Sequence, residues 1–99
     1  MIINTEKNDA AVTLHISGRL DTATAPELEA AVNAIPDDTK ELTLDMAEVA
    51  YISSAGLRVL LGAQKKMNKI GSMKLTGVCE TVMDVLEITG FADILTIVS

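Results

Sequence analysis

The sequence predicts an α/β fold: a mixed β-sheet with helices mainly on one face, in the order ββαβαβαβ. Three observations carry that expectation. Apolar residues recur with period two in some segments and with the i, i+3, i+4, i+7 spacing of a helix in others. The two periods alternate along the chain, so helices separate strands and the crossovers imply parallel neighbours, with an antiparallel pair at the start. The strand-like segments alternate apolar with polar, whereas a sheet covered on both faces would read as continuous Val, Ile and Leu.

Val12, Leu14 and Ile16 interleave with Thr13, His15 and Ser17, a strand with one wet face. Met1 to Thr5 is its expected partner strand, with turn chemistry at Asn8-Asp9. Leu28, Ala31, Val32 and Ile35 form the apolar stripe of a first helix. Thr24-Ala25-Pro26-Glu27 ahead of it reads as a capping box, with Pro26 tolerated in the first turn and Pro36 as the stop. Leu42, Leu44 and Met46 alternate with Thr43 and Asp45 in a third strand, followed by an irregular segment anchored by Val49, Tyr51 and Ile52. A second helix is expected from about Ser54 to Lys69, with Leu57, Leu60, Leu61, Gln64 and Met67 along one side and Gly71 at its C′ position. Met73 to Thr76 and Ile94 to Val98 are short β-rich segments. Between them Val82, Val85, Leu86 and Thr89 mark a third helix closing at Gly90. No linker, repeat or low-complexity stretch divides the chain, so residues 1–99 are expected to form one domain.

The composition excludes several functions. With 48% hydrophobic and 22% charged residues, wholesale disorder is not expected. Aromatics make up only 2%, Tyr51 and Phe91, too few for the stacking platforms that hold single-stranded nucleic acid. The net charge of −6 also disfavours binding to a phosphate backbone, so no direct nucleic-acid partner is expected. Cys79 is the only cysteine and His15 the only histidine, which removes an intramolecular disulfide, a Cys-based zinc site and two-His metal motifs. No metal or cofactor is expected. The N-terminus lacks a basic segment followed by an apolar one, and no apolar run approaches the ~18 residues needed to span a bilayer. A cytoplasmic protein without membrane insertion is the expectation.

The chemistry concentrates between Leu44 and Leu61, LDMAEVAYISSAGLRVLL. A strand ends near Asp45, and Ser53-Ser54-Ala55-Gly56 opens the longest helix. A helix N-terminus carries about four unpaired N–H groups and a partial positive charge. A serine there is either a simple N-cap or a hydroxyl presented so that a phosphate can rest on those N–H groups. Asp21 and Asp45 are expected at the carboxyl ends of two strands, where α/β sheets place binding sites. Without a nucleophile–base pair, a Gly-rich phosphate loop or a metal cluster beside them, they read as turn caps rather than as an acid–base pair. Gly56 implies close approach, either by the neighbouring strand or by a partner. Arg58, Lys65, Lys66 and Lys69 lie off the apolar stripe, as a solvated face or as a partner surface extending from Ser54. His15 is expected to point outward, Cys79 to be a core or loop thiol, and Met46, Met67, Met73 and Met83 to be packing residues.

The run Asp45-Met46, then Val49-Ala50-Tyr51-Ile52-Ser53-Ser54-Ala55-Gly56-Leu57, resembles the signature of STAS domains, and specifically of the anti-sigma factor antagonists. Gly18-Arg19-Leu20-Asp21, ahead of the first helix, resembles their second short motif, and the element order fits over nearly the whole chain. The resemblance implies that Ser54, followed by Ala55 and Gly56, is the phosphorylated serine. The family's usual residue before it is Asp. Here it is Ser53, which removes a carboxylate beside the acceptor and supplies a second hydroxyl that a kinase can use. Asp21, Ser53, Ser54, Gly56 and Arg58 are the expected partner-binding residues.

The function implied is a bacterial switch rather than an enzyme. The unmodified protein would bind an anti-sigma factor that is itself a serine kinase of the histidine-kinase-like ATPase fold, so releasing a sigma factor. Phosphorylation of Ser54 would end the complex, and a metal-dependent serine phosphatase would restore it. The other class the resemblance leaves open is an unphosphorylated scaffold or ligand-binding module in a transporter, stress-sensing or lipid-trafficking complex. A free-standing chain of this length favours the first.

Overall fold

The computed structural model describes residues 1–98. β1 (Ile2–Asn8) and β2 (Ala11–Leu20) pair as an antiparallel hairpin, turned at Asp9, whose φ of 55° lies in the left-handed region that Asp tolerates. Next come α1 (Ala25–Asn33), β3 (Glu41–Ile52), α2 (Ser54–Ile70), β4 (Ser72–Thr76), α3 (Glu80–Ile88), a 3-10 turn (Phe91–Asp93) and β5 (Ile97–Val98). The sheet order is β1-β2-β3-β4-β5, with every pair after the hairpin parallel. The expected order ββαβαβαβ and the mixed sheet are therefore both present.

This strand order explains the one-sided architecture. Crossovers between parallel strands are right-handed, and here each one steps in the same direction, so the helices fall on one face. On that face Val12 is in register with Leu42 and Met73, and Leu14 with Leu44 and Leu75. Leu28 and Val32 of α1, Leu57, Leu60 and Met67 of α2, and Val82 and Leu86 of α3 complete a single core. Each side chain buried there contributes about 1.5–3 kcal/mol relative to exposure. The other face carries Thr13, His15, Thr43, Asp45, Lys74 and Thr76, none fully buried. The consecutive order also means that this sheet has no topological switch point, the usual origin of a ligand crevice.

Four local expectations need correction. The segment after Met46 is not irregular. It continues β3 to Ile52 through two bulges, one between the pairs His15–Asp45 and Ser17–Glu48, the other between Gly18–Val49 and Leu20–Ile52. Each bulge inserts one residue into β3, so burial changes from period two (Leu42, Leu44, Met46) to period three (Val49, Ile52). Tyr51 consequently faces outward, at 39% exposure, and is no core anchor.

The capping box at α1 begins at Asp21 instead of Thr24. Asp21 N–H donates to Thr24 Oγ1 at 2.9 Å and Thr24 N–H donates to Asp21 Oδ1 at 3.1 Å, a reciprocal pair. Gly71 has φ 178°, an extended rather than left-handed conformation, and its reason is contact: a Cβ there would stand 2.0 Å from the Lys40 carbonyl oxygen. The last strand is confined to Ile97–Val98, because Ile94 and Leu95 donate their N–H groups back to Phe91 at 3.0 and 2.9 Å and curl the chain.

Candidate functional site

The site is a corner where β2 and β3 end together. Ser53 N–H donates to the Leu20 carbonyl at 2.9 Å, tying the exit of β3 to that of β2. Ser53 itself is extended (φ −102°, ψ 175°) and caps α2. Its Oγ accepts the Gly56 N–H at 3.4 Å and its carbonyl accepts the Leu57 N–H at 2.9 Å. Ser54 is the first helical residue and is exposed, with no partner for its hydroxyl among the described residues. The two adjacent serines thus occupy different environments, one bonded to the backbone and half-buried, the other open to solvent.

Gly56 is buried under this corner. A Cβ on it would lie 2.6 Å from Leu20 Cγ and 3.0 Å from Ile52 Cγ1. The close approach implied by the sequence is therefore to the neighbouring strands, and Gly56 offers no surface for a partner. The first turn of α2 holds no carboxylate, so no acidic side chain of that turn offsets the helix dipole. Arg58, at i+4 from Ser54, is exposed.

Asp21 stands at the other end of the corner, after β2. Its Oδ1 accepts from Ala23 N–H at 3.0 Å as well as from Thr24, and Arg19 Nε lies 3.7 Å from Oδ2. The bond from the Thr24 amide, aided by those from the Thr24 hydroxyl and the Ala23 amide and by the Arg19 charge, holds the Asp21 carboxyl below its ordinary value. Oδ1 is engaged in capping, and Oδ2 faces Arg19.

Between the starts of α1 and α2 runs a shallow groove of about 180 Å³, lined by Thr22, Ala25, Pro26, Glu29, Ala55, Arg58 and Val59. Asp21 and Ser54 immediately precede two of these residues, and Arg58 is in the groove itself. A second hollow, of about 130 Å³, shares Glu29 and Val59 and runs along the seam toward Lys66. Lys66 Nζ donates to the Val32 carbonyl at 3.0 Å, so this lysine closes the C-terminal end of α1 instead of standing free.

Two features of the corner were not expected from the sequence. Arg19 lies over the Tyr51 ring, 4.2 Å from its centroid, a cation–π contact on the exposed edge. The signal for it is the apolar spacing Met46, Val49, Ile52, which turns Tyr51 outward opposite Arg19. Asp45, by contrast, does not belong to the corner. It lies within β3, since the strand runs on to Ile52, and its Oδ2 accepts from His15 Nδ1 at 2.8 Å on the open face of the sheet. His15 points outward as expected. Cys79 is the N-cap residue of α3 and half-buried, with Sγ 3.5 Å from the Val49 carbonyl oxygen.

Residues 3–99 match the STAS domain family. The chain belongs to that family. This STAS domain is 29% identical over 96 residues to the anti-sigma-B factor antagonist of Bacillus subtilis, covering 96% of this chain and 88% of that one. It superposes on the crystal structure of an anti-sigma factor antagonist from Mycobacterium paratuberculosis with a TM-score of 0.87 and 25% identity, covering 97% and 83% of the two chains. The phosphorylated form of SpoIIAA, a Bacillus cell fate determinant, has the same fold, with a TM-score of 0.75, 15% identity and 99% and 92% coverage. No helix of the described STAS domain residues is long and apolar enough to cross a membrane.

Proposed function

We propose that this STAS domain is an anti-sigma factor antagonist, a cytoplasmic protein-interaction switch controlled by phosphorylation of Ser54. The relatives named as anti-sigma factor antagonists match it over 88% and 83% of their own length. The observation that carries the choice of Ser54 is the separation of roles between the two serines: Ser53 caps α2, while the exposed Ser54 hydroxyl is left for a kinase.

The unmodified corner, with Ser54, Arg58 and the groove between α1 and α2, is the contact surface for the anti-sigma factor. Asp21 and Ser53 border and shape it, and Gly56 lets α2 start close enough to the strands to build it. The partner is a serine kinase of the histidine-kinase-like ATPase fold, and a metal-dependent serine phosphatase resets the switch. The protein is substrate and switch, not catalyst. A phosphate on Ser54 adds about −1.5 to −2 charges at a helix N-terminus that can accept them, so the fold survives while the packed contact does not.

The test is affinity purification from native cells, with mass spectrometry of partners and phosphosites, and then kinase treatment of wild type, Ser53→Ala and Ser54→Ala. Phosphate on Ser54 and release of an ATPase partner are expected. Undiminished incorporation in Ser54→Ala, mapped to Ser53, would reassign the switch. No incorporation by the genuine partner would favour the unphosphorylated scaffold.

A further inference from the structure

The open face of the sheet carries a ladder of titratable side chains across three adjacent strands, away from the corner. Glu6 of β1, His15 of β2 and Asp45 of β3 are joined through the imidazole: His15 Nδ1 is 2.8 Å from Asp45 Oδ2, and His15 Nε2 is 3.4 Å from Glu6 Oε1. The other oxygen of Asp45 is also engaged. Oδ1 accepts the Ala47 N–H at 3.1 Å. Ala47 is in the first bulge of β3, where a residue inserted into the strand loses its place in the ladder and its N–H needs another acceptor. One carboxylate therefore spans from the histidine to the bulge.

The corner lies farther along the same strand, past the second bulge. Past Ala47 the strand carries Val49 and Ile52 into the core at period three and delivers Ser53 and Ser54. The bulge is held on its other side by Gly77, in the left-handed region at φ 67°, whose position leaves only 3.0 Å between an added Cβ and the Ala47 side chain. Its geometry is set between a backbone contact that cannot change and a carboxylate contact that can.

We propose that His15 is a positioning residue for the Ser53–Ser54 corner, acting through Asp45 on the first bulge of β3. The imidazolium draws Asp45 into one rotamer, with one oxygen on His15 and the other on Ala47. When the ring is neutral its Nδ1–H still donates to the Asp45 carboxylate, but the attraction between opposite charges is lost and the bulge is less firmly set. The charged side chains on the strands beside the ring are Glu6 on β1 and Asp45 on β3, with Glu48 on β3 opposite Ser17. Glu41 on β3 and Lys74 on β4 stand farther along the same face. The nearest of these are acidic and stabilise the imidazolium, the Asp45 hydrogen bond most of all, so the change of state falls above the ordinary histidine value.

The proposal rests on the reading of Ser54 as the acceptor, and its test does not use the kinase. Amide NMR of the whole chain is recorded against pH, together with the His15 ring protons. The Ala47, Ser53, Ser54 and Ala55 amides are expected to shift along one curve whose midpoint is that of the His15 ring. Glu6→Gln should move the ring and all four amides together to a lower midpoint. His15→Gln keeps an N–H donor for Asp45, so a merely structural role would be preserved, yet the titration should vanish from all four amides. Amides of residues 53–55 that stay silent while Ala47 tracks the ring, or that still titrate in His15→Gln, would overturn the coupling. A failed phosphorylation of Ser54 would overturn the reading instead and leave the titration as it is.

Discussion

Ser53 Oγ accepts the amide N–H of Gly56 at 3.4 Å, and this bond separates the roles of two neighbouring serines. It uses the hydroxyl of Ser53 for the helix and leaves that of Ser54 free. Ser53→Ala should therefore cost about 1 kcal/mol of stability, the usual value of an N-cap, while leaving phosphorylation of Ser54 in place. Ser54→Ala should leave the stability measured in urea within ~0.5 kcal/mol of wild type and abolish incorporation. Urea unfolding and phosphate mapping on the same pair of variants check both halves.

Two glycines of α2 should respond to alanine with opposite signs. At Gly56 an added Cβ meets Leu20 Cγ at 2.6 Å inside the core, and overpacking of that kind costs about 1–3 kcal/mol, more than the helix propensity gained. At Gly62 nothing lies within 4 Å, so Gly62→Ala should stabilise by roughly 0.5–1 kcal/mol. A loss of partner affinity is expected for Gly56→Ala alone, since its helix start must shift. Thermal melts of the two variants, with partner titrations beside them, check the signs.

Stability should depend on pH through the His15–Asp45 pair. The hydrogen bond to Asp45 raises the His15 value above 6.5, so the stabilisation it brings is fully present below 6.5 and lost as pH rises through the higher folded value. The same bond lowers Asp45 below 3.8, so its contribution is present above 3.8 and lost as pH falls through the lower folded value. Both descriptions concern one interaction, greatest between the two ordinary values. Denaturation midpoints taken from acid to mildly alkaline pH should show the alkaline decline in wild type and lose it in His15→Gln.

Binding should be sensitive to charge at the corner. Ser54→Asp brings a carboxylate into the proposed contact, and desolvating it unpaired costs several kcal/mol. A penalty of ~3–4 kcal/mol corresponds to roughly two to three decades in Kd. The melting temperature should hardly move, because an acidic group at a helix N-terminus is favourable to the fold. Arg58→Glu should likewise weaken binding with little effect on melting. Calorimetry with the purified partner decides, and unchanged affinity in both variants would move the contact surface elsewhere.

The strands and helices were legible because each buries one side. Val12, Leu14 and Ile16 alternate since a strand turns every second residue to the core, and Leu57, Leu60, Gln64 and Met67 recur since a helix does so at 3.6. The exposed serine at the head of α2 was legible too, as a motif at a helix start. The bulges are not legible in the same way, although Met46, Val49 and Ile52 carry them in their spacing. A change of period from two to three is ambiguous in a short apolar run, and it reads as irregularity until a partner strand supplies the register.

Local pattern was enough for the order of elements, the wet face of the sheet and the position of the serines on α2. Contacts between distant segments decided the rest. Asp21 caps the turn before α1 through its near neighbours Ala23 and Thr24, whereas Asp45 becomes a strap to Ala47 and His15 because the fold sets β2 beside β3. Of two adjacent hydroxyls only Ser53 turns to the Gly56 amide, since Leu20 holds its N–H and sets its extended backbone. A hydrogen bond needs a partner within about 3 Å, and for His15 with Asp45 and for Ser53 with Leu20 that partner is brought by the fold rather than by the neighbouring sequence.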